Sequence, residues 1–312
     1  MSVLATPRPR MRRWSRNVVR EALGGYACIM PWILGFLIFT LGPMLAALYL
    51  SFTRYNVVTP PRWIGLENFA YALSGADRLF YPSMLATAKF AFLVVPVGIL
   101  TSLALAALLN RRLVGTTVFR TIFFLPTLTP VAAVAILWLW LLHPELGPIN
   151  YGLSLVGIQG PRWLSSQVWA IPALALVAIW GSAGGTRMII FLAGLQGVPQ
   201  ELYDAASIDG AGAWQRLRHV TLPMISPVIL FNLVLGFIGG FRVFALAYIA
   251  TEGGPAYATW FYLLHLYQNI RDLRMGYAAA LAWVFFLVVL IFTYVQFRSA
   301  YRWVYYAGEQ ER

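Results

Sequence analysis

Lysine is almost missing from this chain: of its 23 basic residues only Lys89 is a lysine. A nucleotide-hydrolysing site of the G-x-x-x-x-G-K-[ST] kind needs a lysine that reaches the phosphates. Lys89 sits between Ala88 and Phe90, so the chain cannot hydrolyse ATP by that route. Cysteine is as scarce. Cys28 lies inside an apolar run, cannot form an internal disulfide and has no metal ligand nearby in sequence. The three histidines, His143, His219 and His265, are too scattered for a zinc spacing. No Ser/His/Asp or Cys/His grouping is suggested, and no carboxylate pair falls within an apolar run, which disfavours a membrane-bound enzyme. Charge itself is thin: 11% of the 312 residues are charged and 60% are hydrophobic. Soluble domains carry roughly 25% charged residues, so the composition is that of a membrane protein.

Long apolar runs are abundant. They fall at about 25–51, 84–110, 117–142, 168–195, 224–251 and 277–297, each at least the roughly 20 residues that cross hydrocarbon as a helix. The first is too long for a signal-peptide core of roughly 7–15 residues and ends without an A-x-A site, so it reads as a retained span. The expectation is an all-α integral membrane protein with six transmembrane helices and both termini cytoplasmic. Basic residues test this topology. On the inner side fall Arg8, Arg10, Arg12, Arg13, Arg16, Arg20, Arg111, Arg112, Arg120, Arg216, Arg218, Arg298, Arg302 and Arg312; on the outer side fall only Arg54, Arg62, Arg78, Arg162, Arg271 and Arg274. That asymmetry follows the positive-inside rule. It also accounts for the +12 net charge without nucleic acid as a partner. Trp138, Trp140, Trp163 and Trp169 are expected in an outer aromatic belt, with Lys89 snorkelling near the outer end of span two. The organisation is a cytoplasmic Arg-rich tail (1–24), a first span with an outer segment (25–83), a core (84–298) and a cytoplasmic tail (299–312). The outer stretches W-I-G-L-E-N-F-A-Y-A-L and E-G-G-P-A-Y either receive a partner that delivers cargo or pack over the bundle.

The longest polar interruption on the inner side is residues 199–223, around which the chain is organised. Pro199 suits a helix start. Glu201 and Asp204 fall where carboxylates favour the positive end of the helix dipole, and Leu202, Ala205 and Ala206 form a small apolar face. Gly210 stops this helix; a second, over about 211–220, carries Trp214 and Leu217 beside Gln215, Arg216 and Arg218 and is closed by Pro223. Two short helices joined at a glycine between spans form a docking element. A helix-turn-helix reader of DNA is disfavoured, because that pair belongs in a compact soluble domain.

Two arginines fall inside predicted spans, each about nine residues from an end and hence roughly 13 Å deep at about 1.5 Å per residue. Charges at that depth are costly and face the bundle interior or a water-filled path. Arg187 follows Gly181–Gly185, whose carbonyls it could bond; the alternative is a path role. Arg242, between Phe241 and Phe244, suits hydroxyl-rich or anionic cargo through hydrogen bonds and stacking; plain structural bonding is the alternative.

The stretch E-L-Y-D-A-A-S-I-D-G-A-G-A-W-Q-R-L-R-H-V-T-L-P resembles the EAA loop of ABC-importer permeases, the membrane subunits of binding-protein-dependent uptake systems. Ala205 and Ala206, the run Ile208–Ala211, and Leu222 with Pro223 match; Asp204 replaces the usual glutamate, keeping the charge but shortening its reach. L-G-P-M-L-A-A-L-Y-L-S-F-T-R-Y, F-R-V-F-A-L-A-Y-I-A-T-E-G-G-P and R-M-G-Y-A-A-A-L-A-W-V-F-F resemble sugar-type permeases, in the half related to the maltose-transporter F subunit and the glycerol-phosphate-transporter A subunit. The resemblance covers about residues 26–300. It implies a type I importer fold in a bacterial or archaeal inner membrane. It also implies a non-enzymatic subunit forming half of a sugar path with a second homologous permease in a heterodimer. An extracytoplasmic solute-binding protein would deliver cargo, and a dimer of cytoplasmic ATPase subunits would bind ATP and Mg, with no cofactor in this chain. Glu201, Asp204, Ala205, Ala206, Asp209, Gly210, Leu222 and Pro223 would couple to the ATPase; Arg242, Phe241, Phe244 and Arg187 would line the path. The alternatives are a permease for glycerol-3-phosphate or another anionic solute, or an ATP-independent channel or secondary carrier.

Overall fold

A computed structural model describes residues 16–111 and 115–305; Arg8, Arg10, Arg12, Arg13, Arg112 and Arg312 lie outside them. Helix α1 (Arg16–Phe36) passes through a π turn (Leu37–Leu41) into α2 (Gly42–Ser51). The apolar part of this rod, Leu23–Ser51, leaves its span-length window exposed. A two-residue antiparallel ladder, β1 (Thr53–Arg54) with β2 (Arg62–Trp63), leads to α3 (Glu67–Leu73), the short outer helix anticipated from the sequence. The second span, α4 (Phe80–Leu109), runs unbroken through Pro96, and Lys89 on it is exposed.

Spans three to five are not straight rods. Helix α5 (Thr116–Phe124), with its 3₁₀ turn Leu125–Leu128, meets α6 (Val131–Leu141) at 97°. Proline disfavours a helical residue before it, and Thr129, ahead of Pro130, is extended at φ −79°, ψ 130°. After α7 (Pro148–Leu155), α8 (Ala170–Ala183) meets α9 (Thr186–Gln196) at 49°. The break is Gly184–Gly185, where side chains would collide with Phe123 and Thr127. Then come α10 (Gln200–Ile208), α11 (Ala213–Arg216), a π turn (Leu217–Thr221) and α12 (Leu222–Met224), which meets α13 (Ser226–Phe241) at 67°. The chain continues through α14 (Ala245–Ala250), α15 (Tyr262–Arg271) and the last span, α16 (Met275–Ala300).

Among the described residues three helices are long and apolar enough to cross a membrane alone; the count reaches six when each bent pair is one span. The core forms where α4 packs along α8, α9 and α13. Its deepest side chains include Phe191, Leu174 and Met188. The four tryptophans expected in an outer belt differ in exposure. Trp140 and Trp169 are exposed, but Trp138 stacks edge-on with Trp180 at 5.6 Å and packs on the core, and Trp163 turns in to donate to Asn150 Oδ1 at 2.7 Å. Indole is apolar over most of its surface and takes a core site where one is open.

Candidate functional site

The polar pair is built locally. Pro199 precedes the first helix as its N-cap at ψ 133°, one position earlier than the sequence suggests. The helix ends in a two-bond glycine motif: Gly210 N–H donates to Ser207 O at 3.1 Å and Ala211 N–H to Ala206 O at 2.9 Å, with Gly210 at φ +75°. Gln200 Nε2 donates to Asp204 Oδ1 at 3.1 Å. The second helix is pinned at its start by Gly212 N–H on Gln215 Oε1 at 2.7 Å, and to the first by Arg216 Nη1 on Ser207 Oγ at 3.2 Å. The sequence predicts that Pro223 closes this helix, and it does not. A π turn widens the ladder just ahead of it, the helical path runs on to Met224, and the chain bends after that. A proline removes one N–H and clashes with the preceding turn, and a π turn absorbs both effects as a kink. Glu201, Asp204, Ala205, Asp209 and Gly210 are exposed, whereas Ala206, Leu222 and Pro223 are half-buried. Beside them Ile208 and Trp214, 87% and 70% exposed, form an uncovered apolar surface.

A cavity of about 450 Å³ lies between α4, the α5–α6 bend, α8 and α13. Arg187, Arg242 and Phe244 line it; Phe241, placed with them from the sequence, does not, being buried against Phe237 and Phe292. Arg242 is not inside a continuous span either. Helix α13 stops at Phe241, Arg242 caps it, and a short turn precedes α14. Phe244 stacks on Tyr248 with ring centroids 5.5 Å apart and meets Tyr267 edge-on at 5.1 Å. Arg187 stands on the first turn of α9, which has no side-chain cap. Its guanidinium passes between two helices at two glycines. A Cβ on Gly98 of α4 would lie 2.6 Å from Nη1, and one on Gly236 of α13 would lie 3.4 Å from Nη2. Nη1 is buried with no hydrogen-bond partner among the described residues, so it makes no bond to the Gly181–Gly185 carbonyls.

Sequence reasoning missed one polar cluster. Asp77, in the outer segment after α3, accepts from Tyr277 Oη at 2.5 Å and pairs with His265 Nε2 at 2.7 Å. Trp260 Nε1 donates to His265 Nδ1 at 3.2 Å. Burial opposes ionisation of Asp77, but bonds from Tyr277 and the Leu79 N–H, with the neighbouring His265, outweigh it and hold the carboxyl below its ordinary value. These residues are 188 and 200 positions apart, with no motif to join them. Among the described residues no group of three His, Cys, Asp or Glu could hold a metal ion.

Apolar helices that cross a membrane, a polar helix pair exposed at one end and a cavity between the helices define a transport permease. Residues 95–302 match the family described as the binding-protein-dependent transport system inner membrane component, and the chain belongs to it: it is an inner-membrane permease subunit of an ABC importer. In such importers a partner ATPase, not the permease, hydrolyses ATP. The chain is 40% identical over 302 residues to the probable ABC transporter permease protein YesP of Bacillus subtilis, covering 95% of this chain and 96% of that one. It is 34% identical over 284 residues to the trehalose/maltose transport system permease protein MalF of Thermococcus litoralis, covering 90% and 95%. It is also similar to a chain of a solved bacterial ABC transporter involved in the import of the acidic polysaccharide alginate, with a TM-score of 0.79, 26% identity and 92% and 98% coverage.

Proposed function

We propose that this chain forms half of the path for a carbohydrate. An extracytoplasmic binding protein delivers the sugar, and a cytoplasmic ATPase dimer holding ATP and Mg drives the cycle. The relatives named for trehalose/maltose and alginate support the cargo class. The observation that carries the coupling role is the exposed helix pair, whose glycine turn presents Glu201, Asp204, Ala205 and Asp209 beside uncovered Ile208 and Trp214. Leu222 and Pro223 then join that surface to the bend before α13. That helix packs on α4 and ends at Arg242 on the cavity, so tilting the pair moves the cavity wall. Alternating access follows if ATP-driven closure of the partner tilts the pair. The arginine asymmetry supports a cytoplasmic position for the pair and both termini.

Reconstitution tests the reading. Vesicles holding this chain, its partner permease, the ATPase and the binding protein should take up sugar only with ATP, and vesicles holding this chain alone should show no flux. Flux without ATP would instead favour the channel or carrier reading. With Cys28 changed to serine, a cysteine at Trp214 should react only from the cytoplasmic side and crosslink to the ATPase. Labelling from outside would end the proposal.

A further inference from the structure

The cavity's polarity is one-sided. Its lining contributes two guanidinium groups and no carboxylate among the described residues. A second cavity of about 280 Å³ shares Arg187, Gly181, Ser182, Thr127, Leu235 and Gly236 with the first and continues to Asn232 and Ile190. Arg187 therefore stands on the common wall of two consecutive spaces. Arg242 lies at the end of α13 remote from the coupling pair, and Gly236, one and a half turns back along that helix, is where Arg187 reaches in. Arg242 lines the first space only, and Arg187 lines both. A buried guanidinium with an open donor is unfavourable unless something accepts from it. Nothing among the described residues accepts from Nη1. Arginine's planar fork matches a carboxylate better than it matches a lone hydroxyl, and Phe244, backed on one side by Tyr248, adds an aromatic surface to the same wall.

We propose that the cargo is an acidic saccharide: a sugar whose carboxylate meets Arg242 first and Arg187 deeper in the path. This rests on the carbohydrate reading above. The test presents cells making the complete importer with an equimolar mixture of maltose, xylobiose, galactobiose, digalacturonate and glucuronosyl-xylose, and measures what accumulates. The uronic-acid disaccharides should enter in preference. Arg187→Gln should lower their uptake about tenfold or more, the loss expected for one charge-assisted hydrogen bond. Arg187→Lys should keep more of it than Arg187→Gln, and Arg242→Gln should lose less. Uptake is normalised to the amount of permease that co-purifies with its ATPase, so failed assembly is counted separately. Entry of the neutral disaccharides alone would overturn the acidic assignment and leave the carbohydrate reading standing. Entry of neither kind would overturn both. Undiminished uronate uptake in Arg187→Gln would remove Arg187 from the path, and loss of the permease pair in that variant would assign its partner to the other subunit.

Discussion

The coupling pair and the cavity are built on opposite principles. In the pair the decisive bonds join near neighbours: Gly210 to Ser207, Ala211 to Ala206, Gly212 to Gln215. Its apolar surface is left largely uncovered by the described residues, with Trp214 and Ile208 both mostly exposed. In the cavity every important relation is long-range. Arg187 of α9 threads between Gly98 of α4 and Gly236 of α13, facing walls from the α5–α6 bend and α8. A docking element has to keep its shape while it is gripped and moved, which short local bonds achieve. A cargo site has to change shape, so it is assembled from helices that can shift against one another.

The sharpest way to break this contrast is at Gly210. Space around it is open, but at φ +75° a side chain is strained, by roughly 1–2 kcal/mol in the left-handed region and more for a β-branched one. Gly210→Val is expected to abolish binding-protein-dependent uptake and weaken co-purification with the ATPase, while membrane insertion stays normal. The matching change in the cavity is Gly98→Leu, which displaces the Arg187 guanidinium. Uptake should fall about tenfold, equivalent to about 1.4 kcal/mol, with ATPase co-purification unchanged. If Gly98→Leu also releases the ATPase, the two regions are not separable in the way described.

The smallest effect belongs to the outer cluster, which is neither pair nor cavity. Asp77 is held below its ordinary value in the folded chain, so its contribution is present at neutral pH and is lost as pH falls below the ordinary carboxylate range. The purified assembly should lose melting temperature on acidification through that window. Asp77→Asn should start a few degrees lower at pH 7 and titrate more shallowly, as read by fluorescence-monitored melting. A parallel acid profile in the two proteins would show that the cluster contributes nothing through its charge.

Legibility follows the same division. The six apolar runs, the outer helix at Glu67–Leu73 and the glycine-stopped pair could all be read in advance, because hydropathy, a dipole preference and a left-handed glycine act within a few residues. The bends could be only half read: Pro130, Gly184–Gly185 and Pro223 are visible in sequence, but angles of 97°, 49° and 67° depend on what the two arms pack against. Phe241 was misplaced for this reason. A break in the backbone one residue later turns Phe244 toward the cavity and leaves Phe241 on Phe237 and Phe292.

By itself the sequence determined that the chain lives in a membrane, that it cannot hydrolyse ATP through a Walker lysine, and that one polar helix pair interrupts it, since each depends on composition or on contacts a few positions apart. Only the tertiary structure decided that Arg187 and Arg242 share one cavity, that Arg187 Nη1 finds no partner among the described residues, and that Asp77 meets His265 and Tyr277. The place of Arg187 depends on which helices approach closely enough at glycine for a guanidinium to pass. That distance is set by the packing of four helices together and is written in none of them alone.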